Sequence, residues 1–297
     1  MSGPGAPLEA RIAGAPISWG VCEVPGWGHQ MDVGRVLTEM REVGLSATEF
    51  GPDGFLPDDP RGKAVTLAGH GLAAVGGFVP VVLHDREHDP LPEADAALDG
   101  FVAAGAGVMV LAAATGLDGY DTRPELDGAG WATLFGNLDR LAERAAGRGV
   151  CACLHPHVGT MIETRDDVDR LLHGTQIPLC LDTGHLLVGG SDPVALAREV
   201  PDRIVHTHLK DVDAGLAQRV RAGELSYTDA VRAGMYRPLG KGDAGIAQIV
   251  QTLEAHGYQG WYVLEQDTVL DGEPPQAPGA GPVEDVAASV AFLRSLA

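Results

Sequence analysis

Short apolar runs alternate with longer amphipathic stretches along nearly the whole chain. Eight runs read as strands, at 12–18, 47–50, 73–79, 107–113, 150–154, 178–181, 204–209 and 261–264. Between them, stretches near 32–43, 92–105, 126–148, 164–173, 192–199, 244–256 and 283–296 repeat their apolar residues at helical spacing. Val36, Leu37, Met40 and Val43 illustrate the spacing, which gives a helix one buried face. Thr164 ahead of Arg165-Asp166-Asp167, and Ser191 ahead of Asp192-Pro193, are helix start signals.

Strands that alternate with helices predict a parallel sheet, because a parallel return needs a crossover long enough to hold a helix. Eight such units with no Ser/Gly linker or charge run between them predict one (β/α)8 barrel, a TIM barrel, as a single domain over 1–297. Two segments break the rhythm. Residues 212–243 read as an irregular, lid-like insertion over the barrel mouth, and 266–282, with GEPPQAPGAG, reads as a loop.

Composition narrows the picture. Hydrophobic residues make up 45% of the chain but aromatic ones only 5%, so aliphatic and alanine side chains must fill the core. A net charge of -20, from 41 acidic against 21 basic residues, would repel phosphate backbones and argues against a nucleic-acid partner. No stretch approaches the roughly 20 apolar residues of a membrane span, and MSGPGAPLEAR has no leader pattern. The expectation is a cytoplasmic chain whose Cys22, Cys151, Cys153 and Cys180 stay reduced, the middle pair as small core residues.

Catalytic side chains of such barrels cluster at the C-terminal ends of the strands. Here those ends carry Glu49, then His84 beyond the third strand, His155-Pro156-His157, Asp182-Thr183-Gly184-His185, the His206/His208 pair running into Lys210, and Glu265-Gln266-Asp267. One residue from each of four successive strands, His155, Asp182, His208 and Glu265, forms a candidate set of metal ligands. Imidazole with carboxylate suits one divalent ion, Mn2+ or Co2+, with Zn2+ or Mg2+ as alternatives. A lone strand-end histidine commonly just hydrogen-bonds, but four such groups at one rim would be costly to bury without a cation. His206 and His208 are two apart on a strand and share a face. Only one of them need bind metal, and which of His155 and His157 does so stays open. The turn 237–242, Arg-Pro-Leu-Gly-Lys-Gly, could cradle a phosphate, but it lacks the full P-loop pattern and its glycines are better read as permitting the turn.

The segments His155-Pro156-His157-Val158-Gly159-Thr160, Leu181-Asp182-Thr183-Gly184-His185, His206-Thr207-His208-Leu209-Lys210-Asp211 and Leu264-Glu265 resemble the xylose isomerase-like superfamily of sugar isomerases, epimerases and inosose dehydratases. The Ala15-Pro16-Ile17-Ser18-Trp19-Gly20 and Ala47-Thr48-Glu49-Phe50-Gly51-Pro52 segments look most like its inosose (2-keto-myo-inositol) dehydratase branch. The resemblance implies Glu, Asp, His and Glu ligands on strands five to eight. Asp182, His208 and Glu265 match that set, and His155 stands where the first Glu is expected.

A two-glutamate proton shuttle is therefore not expected, and a dehydratase acting on a small polyhydroxylated ketone is. In that reading the metal chelates the ketone oxygen and a neighbouring hydroxyl. Glu265 or a fifth-strand histidine removes the α-proton, and His185, His157 or Lys210 assists loss of the β-hydroxyl. Glu49, Trp19, His84 and His206 would contact substrate, Trp19 as an apolar wall unless it is core. The rivals are a ketose isomerase or epimerase, a repair nuclease with three zinc ions, and a catalytically silent sugar-binding or accessory barrel. Lookalikes suggest a homo-oligomer.

Overall fold

The computed structural model describes residues 5–117 and 119–297. Residues 1–4, which begin the segment read as lacking a leader, lie outside it. The first half runs β1 (Ile12–Gly14), α1 (Val33–Glu42), β2 (Ala47–Thr48), α2 (Pro60–Gly69), β3 (Ala73–Ala74), β4 (Gly76–Val82), α3 (Leu91–Ala104), β5 (Val108–Ala114) and α4 (Gly128–Ala146). The second runs β6 (Cys151–Leu154), α5 (Arg165–Gly174), β7 (Leu179–Asp182), α6 (Thr183–Val188), α7 (Pro193–Glu199), β8 (Ile204–Leu209), β9 (Asp211–Val212), α8 (Ala214–Arg221), α9 (Tyr227–Arg232), β10 (Tyr236–Arg237), α10 (Ile246–Ala255), β11 (Tyr262–Leu264) and α11 (Pro282–Arg294).

Nine strands form one parallel sheet in the order β3-β2-β1-β11-β8-β7-β6-β5-β4. The sheet closes because β3 and β4 are the two halves of one strand, interrupted at Val75. The Val75 amide donates to the Thr48 carbonyl (3.0 Å) on one side, and its carbonyl accepts from Gly107 (3.0 Å) on the other. The result is the expected (β/α)8 barrel.

The helices pack their apolar stripes inward. On α1, Val36, Leu37 and Met40 are fully buried, and the Asp32 side chain caps the first turn at Gly34 and Arg35. On α4, Trp131, Leu134, Leu138 and Leu141 do the same. Three elements depart from the sequence reading. The first strand stops at Gly14, because Pro16 fixes the backbone for a 3-10 turn over Pro16–Trp19. Helix α2 lacks an apolar stripe: only Leu67 on it is buried, while Asp59 caps it by accepting from Gly62 at 2.7 Å. The 212–243 insertion is not irregular. It holds α8 and α9, and β10 pairs back antiparallel on β9.

At the N-terminal end of the barrel, Arg11 is buried at 2% exposure and spends its guanidinium on five acceptors. These are the Ala6, Tyr258 and Gly260 carbonyls and both oxygens of Glu254, all within 3.2 Å.

Candidate metal and catalytic site

Strand register builds the opposite end. Asp182 closes β7 directly beside His208 on β8, and His208 pairs with Val263 on β11, two residues before Glu265. His155 follows β6, whose Leu154 is in register with Leu179 of β7. Neighbouring strands lie about 4.8 Å apart, so side chains from adjacent ends converge. His155 Nε2 is 3.0 Å from Asp182 Oδ2, and His208 Nδ1 is 2.6 Å from Glu265 Oε2 and 3.6 Å from Asp182 Oδ2. One donor atom from each of His155, Asp182, His208 and Glu265 lies within 4.8 Å of every other.

The packing of these atoms fits a divalent cation. His208 Nδ1 approaches Glu265 closely without the alignment of a hydrogen bond, and Nδ1 of His155 has no partner among the described residues. Burial would lower the His208 pKa, but Glu265 and Glu49 outweigh it and hold it well above normal, so without a metal Nδ1 faces its carboxylates as an N–H whose positive charge a bound divalent ion would replace. Two nitrogens and two carboxylates suit a catalytic divalent ion that keeps open positions.

Lys210 forms the wall beside this set. Its Nζ lies 2.5 Å from Glu265, 2.9 Å from Asp267 and 3.3 Å from Asp182. Burial would lower the ammonium's pKa, but these three carboxylates outweigh it and hold the value well above normal. Burial would also raise Glu265, and the opposing charges of His208 and Lys210 instead bring it down. Gly184 makes room for the lysine, since a Cβ there would sit 2.7 Å from the Lys210 Cβ and from the Tyr236 ring. Asp267 in turn accepts from the Tyr227 hydroxyl at 2.5 Å, and Tyr227 lies 2.9 Å from the Tyr236 hydroxyl.

His157 is held differently. Its Nδ1 is 2.6 Å from the Val158 carbonyl, a group that only accepts, so the proton of the neutral ring resides on Nδ1. Burial, reinforced by the charges of His155 and Lys210, pushes its pKa down to about 3. The His185 ring packs against it at 3.7 Å between centroids.

A cavity of about 750 Å3 opens on this rim, lined by Glu49, His155, His157, Lys210, Glu265 and Asp267 and, on its apolar side, by Phe50, Phe78 and Tyr120. Asp182 and His208 lie just beneath it, fully buried.

Four residues expected to face substrate lie outside the cavity lining. Trp19 is a core residue, fully buried, with its indole donating to Glu39 at 2.8 Å. The 3-10 turn at Pro16 swings it away from the mouth. His206 sits one residue pair deeper on β8 than His208, fully buried and hydrogen-bonded to Glu49. His84 lies half-buried past β4, apart from the cavity lining. His185 backs His157 rather than facing the cavity, and its Nδ1 accepts weakly from the Val158 amide. The 237–242 turn does not offer a free anion cradle, because the Asp211 carboxylate already accepts from Gly240, Gly242 and Ala244 at 2.8–3.0 Å.

Asp267, named at the end of the last strand, was given no role from sequence, and Tyr227 and Tyr236 were not singled out. Asp267 had a signal, since it stands two residues after Glu265 in extended chain. The tyrosines had none, because tertiary packing of the insertion brings them in.

A family model described as a xylose isomerase-like TIM barrel matches residues 61–296. The rhizopine catabolism protein MocC of Rhizobium meliloti is 34% identical over 269 residues, covering 88% of this chain and 82% of that protein. An inosose dehydratase of Geobacillus kaustophilus (strain HTA426) is 32% identical over 270 residues, covering 86% and 87%. Among solved structures, the probable 3-DHS dehydratase AsbF from Bacillus anthracis superposes with a TM-score of 0.68 at 14% identity, covering 96% and 98% of the two chains. An L-ribulose 3-epimerase superposes with a TM-score of 0.69 at 15% identity, covering 96% and 94%. These two likenesses bear on the fold alone. No described helix is long and apolar enough to cross a membrane.

Proposed function

The chain belongs to the xylose isomerase-like TIM barrel family, and from that premise we propose that it is a metal-dependent lyase that dehydrates a keto-cyclitol of the 2-keto-myo-inositol type. The observation that carries the reading is the convergence of His155, Asp182, His208 and Glu265 beneath a cavity that also receives His157 and Lys210. The 32% identity to an inosose dehydratase supports the substrate class.

His155, Asp182, His208 and Glu265 would hold the divalent ion, Mn2+ or Co2+. Bound there, it supplies Lewis-acid polarisation of the ketone oxygen, which acidifies the neighbouring C–H bond. The remaining work falls to the protein. His157, with its proton committed to Val158, turns the lone pair of Nε2 toward substrate and takes the α-proton. The pair left by the C–H bond becomes the new C=C bond. The imidazolium so formed is strongly acidic, because burial and the Lys210 charge disfavour it. It returns the proton to the β-hydroxyl, whose C–O bond breaks with release of water. Lys210, kept charged by three carboxylates, is no base, and its ammonium stabilises negative charge at the cavity wall. Glu265, tied to His208 and Lys210, serves as ligand rather than proton carrier. The partner is thus a small polyhydroxylated ketone.

Incubation of the purified chain with Mn2+ or Co2+ and 2-keto-myo-inositol tests the proposal. A metal-dependent rise in ultraviolet absorbance from a conjugated dione is expected. No absorbance change, together with turnover of a free ketose, would replace the lyase by an isomerase or epimerase.

A further inference from the structure

Glu49 follows β2 and reaches past β1 and β11 to the histidines of β8, with 2% of its surface exposed. Its Oε1 lies 3.0 Å from His208 Nε2 and 2.7 Å from His206 Nε2. A carboxylate oxygen only accepts, so each imidazole must present an N–H at Nε2. A neutral imidazole carries one proton. In that form, the one that ligates a metal, His208 keeps its lone pair on Nδ1, the atom that faces Asp182 and Glu265.

We infer that Glu49 is a positioning residue for the metal centre: it fixes the tautomer and ring plane of His208 so that Nδ1 is free to ligate. His206, bonded to the same Oε1 and fully buried, tethers the carboxylate in turn. The inference rests on the metal-site reading above and revises the substrate contact expected of Glu49 from sequence. Outer carboxylates of this kind commonly change metal affinity by about 10- to 100-fold when removed.

The probe is Zn2+, whose closed shell permits NMR. Its Kd and stoichiometry are measured by competition with a chelator for wild type, Glu49→Gln and Glu49→Leu, with the melting temperature of each metal-free protein as a control for folding. Nitrogen-15 imidazole spectra of the Zn2+-loaded wild type report where His208 carries its proton. Expected are one ion per chain, a proton on Nε2 of His208, and Zn2+ binding weakened about 10- to 100-fold in Glu49→Leu and less in Glu49→Gln, which keeps a neutral acceptor. Unchanged Kd values in both variants, with a raised KM for substrate, would overturn the inference and make Glu49 a substrate contact. Two ions per wild-type chain would also overturn it, because Glu49, His206 and His208 would then be ligands of a second site. A wild type that takes up no Zn2+ sinks the metal reading instead. The spectrum of the metal-free protein still judges Glu49, since a His208 ring without a proton on Nε2 overturns its part.

Discussion

Arg11 at one end of the barrel and the histidine cluster at the other bury polar groups in opposite ways. At the N-terminal end, Arg11 has an acceptor for each direction of its guanidinium, and Glu254 answers its charge with both oxygens. At the C-terminal end, buried nitrogens of His155, His185, His206 and His208 lack partners among the described residues, and three carboxylates crowd one lysine. A site built for stability finishes its own bonds. A site built for a ligand leaves atoms waiting, and their cost is met by whatever binds. The contrast matches the division of labour in such barrels, with stability at the bottom face and chemistry at the top.

If the contrast is sound, damage at the two ends should register in different measurements. The largest effect belongs to the ligand set: Asp182→Ala, His208→Ala or Glu265→Ala should abolish stoichiometric metal uptake, read by elemental analysis. Wild-type metal content in all three would remove the site and favour a catalytically silent barrel. Chelation of wild type should likewise stop turnover, and added Mn2+ or Co2+ should restore it.

Next comes His157→Gln, which should keep the metal and lose about 10^2- to 10^4-fold in kcat, the usual worth of a proton-transfer group. Loss of metal without an effect on kcat at saturating ion would place His157, rather than His155, among the ligands. At the other end, Arg11→Met should lower stability by about 2 kcal/mol in urea unfolding, with metal affinity unchanged. That is less than for a fully buried pair, because Glu254 keeps 34% of its side chain in water. The smallest effect is expected of Trp19→Phe, about 1 kcal/mol for a lost buried hydrogen bond, with KM unaltered. A raised KM there would return Trp19 to the cavity wall.

Much of this was legible before any coordinates. Parallel strands buried on both faces are continuous apolar runs, so the eight barrel positions stood out, and their ends pointed to His155, Asp182, His208 and Glu265 as a set. Depth was not legible. His206 and His208 face the same way, and only the placement of Glu49 shows that one of them lies a layer lower. Trp19 was ambiguous because a strand and a 3-10 turn send the same side chain to different places, and Pro16 decides between them. Helix α2 was missed because its sequence, PRGKAVTLAG, carries no stripe to detect. The insertion's own small core, where Trp27 meets Tyr227 at 6.4 Å between ring centroids, joins residues two hundred positions apart in the chain, and no local pattern announces that.

The carboxylate of Asp211 plays a part that a solution anion often plays elsewhere. By occupying the amides of Gly240, Gly242 and Ala244 it satisfies that turn from within the chain. Inorganic phosphate or sulfate therefore finds none of these three amides free to bind. The chain carries its own anion for this corner, in place of one drawn from solution.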